Sequence, residues 1–131
     1  RVTFHGRLDD AGMSAVMQAC KVSVSVPSSD ATSVSVLESM ACGLPVLASD
    51  HGAARETVVP GETGWLVKPG DPEAWALALA EARDAGASRR QIMGQSARAR
   101  ARQLYSVDAM CEATLKVYAR ILNARPPEPG R

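Results

Sequence analysis

The residues from Val22 to Ala48 constrain the fold of this chain more than any other stretch. Val22-Ser23-Val24-Ser25-Val26 alternates, with a β-branched residue at every apolar position, as a strand does. Pro27-Ser28-Ser29-Asp30 is a polar loop, Ser33 to Ala41 reads as a helix, Gly43 stops it, and Leu44 to Ala48 is the next strand. Strand, loop, helix and strand in that order belong to an open α/β sheet, in which small ligands settle beyond the carboxyl ends of parallel strands. Two carboxylates mark the stretch, Asp30 at the helix mouth and Glu38 roughly two turns of helix further on.

The helix mouth has its own chemistry. Ser28, Ser29, Thr32 and Ser33 bring hydroxyls to a place where unpaired backbone N–H groups and the positive end of the macrodipole already favour anions, phosphates above all. With the helix starting near Ser33, the spacing predicts Val34, Leu37 and Ala41 on the core side, with Glu38 beside that face. Two readings of Glu38 stay open. Its carboxylate grips the vicinal hydroxyls of a sugar through charge-assisted bonds, or it is a solvated glutamate in a Ser35-x-x-Glu38 imitation of a capping box.

Strands and helices alternate along the rest of the chain. Val2 to His5 reads as a short strand closed by Gly6, and Met13, Val16, Met17 and Cys20 as the buried stripe of a helix entered at Asp10 or Gly12. Gly64 to Val67 is a strand after the Pro60-Gly61 turn. Asp71-Pro72 opens a helix as cap and first turn, with Trp75, Leu77, Leu79 and Ala82 as its apolar face up to Gly86 and Trp75 as packing rather than ligand. An arginine-rich helix spans 88–104; its arginines invite nucleic acid or anionic lipid, against the simpler reading of a solvated face. Ser106-Val107-Asp108 caps a last helix to about Leu122, with a wide apolar band that includes Met110, Tyr118 and Ile121. The expected organisation is therefore one α/β domain over 1–122, a parallel sheet with helices on both faces, and a proline-rich tail over 123–131.

Composition excludes several classes. Lys and Arg total 15 against 14 Asp and Glu, a net charge of +1 that does not argue for nucleic acid. No nicotinamide or Walker signature is present, and neither His5 nor His51 falls in a metal-site grouping. Cys20, Cys42 and Cys111 are expected to be buried free thiols. There is no signal peptide, and the uncharged run from Ser39 to Ser49 is too short and broken to cross a bilayer, so a cytoplasmic location is expected. The chain opens at Arg1 in the middle of what reads as sheet, so earlier strands and an N-terminal partner domain are expected to precede it.

Pro27-Ser28 and Leu37-Glu38-Ser39-Met40-Ala41-Cys42-Gly43-Leu44-Pro45-Val46 resemble the donor-sugar motif of retaining, nucleotide-sugar-dependent glycosyltransferases with the two-Rossmann-domain GT-B architecture. That group also contains sucrose synthases and many bacterial cell-surface sugar transferases. The likeness continues in Ala48-Ser49-Asp50-His51-Gly52-Ala53, in Glu56-Thr57-Val58, and in Gly61-Glu62-Thr63-Gly64-Trp65-Leu66-Val67-Lys68-Pro69-Gly70-Asp71. Val2-Thr3-Phe4-His5-Gly6-Arg7-Leu8 is similar to the family's base-contacting strand and turn, so the resemblance runs from Val2 to Leu122. Departures are equally specific. Asp30 stands where the family has Glu, Ala31-Thr32-Ser33 replaces Gly-Phe-Gly, the loop from Pro27 to Glu38 is shorter than usual, and Ala53 replaces a glycine.

The resemblance implies the C-terminal, donor-binding half of an enzyme that transfers a sugar from a nucleoside diphosphate sugar with retention, in cell-surface glycan or glycolipid synthesis. It assigns Asp30 to the donor-sugar hydroxyls and the oxocarbenium-like state, Glu38 to the ribose diol, and amides from Thr32 to Val34, with Ser28 and Ser33 alongside, to the distal phosphate. Gly6 and Arg7 would line the base, while Gly52 and Glu56 would sit at the strand-end loop, with a tight turn and a structural cap as their simpler readings. No metal or other cofactor is implied: positive groups preceding this chain would neutralise the diphosphate. The implied partners are the nucleotide sugar, the preceding acceptor-binding domain and the cytoplasmic face of a membrane. Two alternatives remain: a non-catalytic binding or interaction module, and a nucleotide-sugar epimerase, which the Leu37-to-Gly43 block disfavours.

Overall fold

A computed structural model describes residues 2–28 and 33–123. The elements run α1 (Asp10–Ala19), β1 (Ser23–Ser25), α2 (Val34–Ala41), β2 (Val46–Ser49), α3 (Ala54–Thr57), β3 (Gly64–Val67), α4 (Pro72–Asp84), α5 (Gly86–Tyr105) and α6 (Val107–Asn123). The strands form one parallel sheet in the order β1-β2-β3, with Ser23 opposite Val46, and Val46 opposite Gly64.

β2 is buried at every position because both of its faces are covered. Val46 and Ala48 face a core built with Val36 and Met40 of α2, Val58, and Ala97 and Ala101 of α5. Leu47 points the other way, to Trp65 and Val67 of β3, Ala82 of α4 and Met93 of α5. The helices therefore lie on both faces of the sheet, as expected, and α5 serves both cores. Gly64 permits the β2–β3 approach, since a Cβ there would lie 1.9 Å from the carbonyl oxygen of Val46.

α2 ends as its sequence dictates. Gly43, at φ +80°, lets its own N–H reach Met40 O at 2.9 Å and the Leu44 N–H reach Ser39 O at 3.0 Å, the paired bonds of a Schellman stop. The buried face of α2 differs from the expectation, however. Val36, Ser39 and Met40 turn inward, whereas Val34 is exposed, Leu37 is half-buried and Ala41 is exposed. A serine occupies the core side because its hydroxyl is fully used. Ser39 Oγ donates to Ser35 O at 2.7 Å, and Ser23 Oγ donates to Ser39 Oγ at 2.8 Å, so β1 binds α2 through a serine of its alternating pattern.

Four further expectations are corrected. Val2 to His5 pairs with none of the described strands, and Val2 and Phe4 are exposed; without a neighbouring ladder, β-propensity makes no strand. α1 starts where expected, with Asp9 accepting from the Gly12 N–H at 2.8 Å, but it buries no residue. Cys20 and Cys111 are free but exposed, and only Cys42 is half-buried. On α4 the inward face is Ala74, Trp75, Ala78 and Ala82, while Leu77 and Leu79 are exposed. Asp71 caps α4 through the Ala74 N–H at 3.0 Å, and Ser106 Oγ accepts from the Ala109 N–H at 3.2 Å as α6 begins. α6 then carries its apolar band on a helix that buries nothing among the described residues. The tail beyond Asn123 lies outside the described residues.

Candidate functional site

A cleft opens at the carboxyl ends of β1 and β2. Ser25 and Pro27 line it from the first strand and its loop, Ser33 and Val36 from the mouth of α2, and Ala48, Ser49, His51, Ala53, Ala54 and Thr57 from the second strand, its loop and α3. Among the described residues no carboxylate lines it: Ser25, Ser33, Ser49, Thr57 and His51 bring polar groups, beside apolar Pro27, Val36, Ala48, Ala53 and Ala54. With the α2 N-terminus at its wall, such a cleft suits an anion better than a cation.

The loops are braced. His51 Nε2–H donates to the Pro27 carbonyl oxygen at 2.9 Å, joining the loop after β2 to the loop after β1. Asp50 N–H donates to Val67 O at 2.7 Å, and the Asp50 carboxylate accepts from Arg55 Nε–H at 2.6 Å and Nη2–H at 3.2 Å. That hydrogen-bonded guanidinium holds the Asp50 carboxyl below its ordinary pKa, and Asp50 in turn raises the pKa of Arg55.

The expected site residues divide between several places. Ser33 is the N-cap of α2 and lines the cleft, its hydroxyl 3.0 Å from Ser35 Oγ rather than on a backbone amide. Ser28 is exposed on the loop leading from Pro27, and Gly52, at φ +47°, makes the turn before α3. Val34 and Glu38 line a second groove with Leu37, Ala41, Ala101, Arg102, Tyr105 and Ser106. Because α2 begins at Val34, Glu38 lies just over one turn into the helix, and Ser35 is inside it, which removes the capping-box reading. Gly6 and Arg7 are exposed, and Arg7 lines a separate groove with Leu8, Asp9, Asp10 and Ala11. Asp30 and Thr32 lie outside the described residues.

Ser25, Ser49, His51 and Thr57 were not singled out from sequence as site residues. The signal was available in principle: Ser49-Asp50-His51 directly follows an apolar strand, where ligands of such sheets collect. The arginines of α5 also take roles that periodicity did not reveal. Arg90 donates to the Ala82 and Arg83 carbonyls at 3.1 and 2.7 Å, closing the end of α4. Arg100 donates to Thr57 O at 3.0 Å and Glu56 O at 2.7 Å, and Tyr105 donates to Glu56 O at 3.0 Å. Glu56 thus contributes its carbonyl, and its side chain is exposed. Among the described residues no group of three acids, histidines or cysteines could hold a metal ion. No described helix is long and apolar enough to cross a membrane.

A parallel sheet with a cleft at its strand ends, walled by a helix N-terminus, defines an open α/β domain. The model of the family described as glycosyl transferases group 1 matches residues 1–100, and the chain belongs to that family. It is 40% identical over 116 residues to D-inositol 3-phosphate glycosyltransferase of Kineococcus radiotolerans, covering 82% of this chain and 26% of the relative. It is 42% identical over 64 residues to the alpha-1,3/1,6-mannosyltransferase alg-2 of Neurospora crassa, covering 49% of this chain and 14% of the relative. The chain thus spans about a quarter or less of the length of these curated relatives. Sucrose-phosphate synthase from Thermosynechococcus elongatus superposes with a TM-score of 0.84 at 32% identity, over 95% of this chain and 31% of that one. Anabaena Alr3699/HepE, solved in complex with UDP and glucose, gives 0.76 at 26% identity, over 91% of this chain and 32% of that one. These likenesses bear out the expected GT-B glycosyltransferase fold.

Proposed function

We propose that the chain is the donor-binding domain of a glycosyltransferase that moves a sugar, with retention, from a nucleoside diphosphate sugar to an acceptor bound elsewhere in the full-length protein. The observation that carries this reading is the cleft at the ends of β1 and β2, walled by the α2 N-terminus, in a member of the glycosyl transferases group 1 family. The diphosphate lies at that helix mouth, where N–H groups and Ser33 donate to it. Asp30 holds donor-sugar hydroxyls and stabilises the oxocarbenium-like state as the leaving diphosphate departs.

Glu38 takes the ribose diol. It is exposed and, among the described residues, forms no ion pair, so its carboxylate is open to hydroxyl donors. Gly6 and Arg7 contribute the base-facing turn. The donor is handled without a resident metal, and the enzyme works on cell-surface glycan or glycolipid at the cytoplasmic face of a membrane. A solved relative supports the ligand class, since its complex holds UDP and glucose.

Asp30→Ala in the full-length protein tests the assignment. Turnover of the donor falls by about 100-fold or more if Asp30 stabilises charge in the transition state. Unchanged turnover overturns the catalytic role, and a wild-type protein that binds nucleoside diphosphates but never turns a donor over is a binding module.

A further inference from the structure

The brace across the mouth of the cleft has no role in the assignments above. We propose that His51 is a positioning residue that fixes the width of the phosphate-binding cleft by tying its two walls together, an inference that rests on the nucleoside diphosphate reading.

The geometry is specific. Pro27 belongs to the wall that follows β1, and His51 to the wall that follows β2; both line the cleft, and 24 residues of sequence separate them. The bond between them is 2.9 Å long and half-buried. A carbonyl oxygen only accepts, so His51 must carry its proton on Nε2. Pro27 also has no N–H of its own to anchor the loop. The β1–β2 ladder ends with Ser25 opposite Ala48, and beyond it the Asp50 N–H turns to Val67 O of β3 rather than to the loop after β1. Among the described residues, the His51 bond is the side-chain link between these two loops. The neighbouring Gly52, at φ +47°, turns the chain so that His51 faces back while Ala53 and Ala54 complete the wall.

A phosphate group held between helix amides and hydroxyls needs donors at fixed distances of about 3 Å, and a wall that drifts loses them together. His51 therefore acts through Pro27 and touches no reacting atom.

The test uses the full-length protein, with UDP and GDP as probes, and compares His51→Phe, which keeps a ring without the N–H donor, with His51→Gln, which keeps an N–H donor. For whichever diphosphate the wild type binds, Kd rises about tenfold in H51F and stays within about threefold in H51Q. KM for the corresponding donor sugar rises with Kd, while kcat at saturation changes less than threefold. Thermal stability of the ligand-free variants is read alongside. Equal Kd in wild type and H51F, with or without a change in Tm, overturns the positioning role and leaves the donor-binding reading intact. If H51F does not fold, His51→Ala is measured against H51Q with the same criteria. A wild type that binds neither diphosphate fails at the donor-binding reading itself, and the positioning role falls with it.

Discussion

The guanidinium of Arg100, on α5, donates to the carbonyl oxygen of Thr57 at 3.0 Å and so closes the carboxyl end of the short α3 helix, which itself forms one wall of the cleft. Helix-end carbonyls lack intrahelical partners, and cations suit that end of the dipole. Arg100→Met should therefore destabilise the protein by about 1–3 kcal/mol, since it strands the Thr57 acceptor and leaves Glu56 O with Tyr105 as its donor. Arg98, exposed on the same helix, should change stability by no more than about 0.5 kcal/mol when replaced by Ala. Urea unfolding of the two variants checks the contrast; equal effects would return all these arginines to a solvated or ligand-facing role.

Gly94 and Gly43 set how closely α5 approaches the end of α2. A Cβ at Gly94 would lie 2.0 Å from the Gly43 carbonyl oxygen, which is backbone and cannot swing away. Gly94→Ala should cost about 1–3 kcal/mol or more by forcing the helices apart. Gly94 follows Met93 of one core and precedes Ala97 of the other, so both cores loosen together. A single cooperative shift in Tm is expected; an unchanged Tm would contradict the packing.

Glu38 has a more selective test. If its carboxylate takes the ribose diol, the wild type should bind a ribonucleoside diphosphate about tenfold more tightly than its 2′-deoxy counterpart, and Glu38→Gln should largely erase that preference. Competition calorimetry on the full-length protein measures both. A preference that survives in E38Q would leave Glu38 as a surface residue of its groove.

The Asp50–Arg55 pair predicts the sign of a pH effect. Asp50 is held below its ordinary pKa in the folded protein, first by its hydrogen bond to Arg55, so the pair adds stability above the unfolded value and loses it as pH falls through the folded one. Both side chains reach solvent, so the effect is small and screened by salt. Asp50→Asn should flatten the acid limb of Tm against pH below about 4 and leave neutral pH almost unchanged.

What the sequence disclosed, and what it did not, follows from where each signal is local. The alternating β1 segment, the Gly43 stop and the Asp71-Pro72 start are decided by backbone chemistry within a few residues, and each is found where expected. Which side of α2 faces inward was not local. Leu37 is more apolar than Ser39, yet Ser39 is buried because Ser23 on another element satisfies it. The same holds for α1 and α6: their apolar stripes are real, but amphipathicity states only that a face wants a partner, and the described elements fully bury no residue of either helix. The site divides in the same way. Ser33 was legible from helix-start chemistry, whereas His51 became visible only when two distant loops met.

Backbone amide hydrogen exchange on the full-length protein, with and without saturating nucleoside diphosphate, tests the central claim most directly. Slowed exchange is expected at the α2 mouth, Ser33 to Val36, and in the loop from Asp50 to Ala54, the two walls of the cleft. Slowing confined to other surfaces, with these two segments unchanged, would contradict the account.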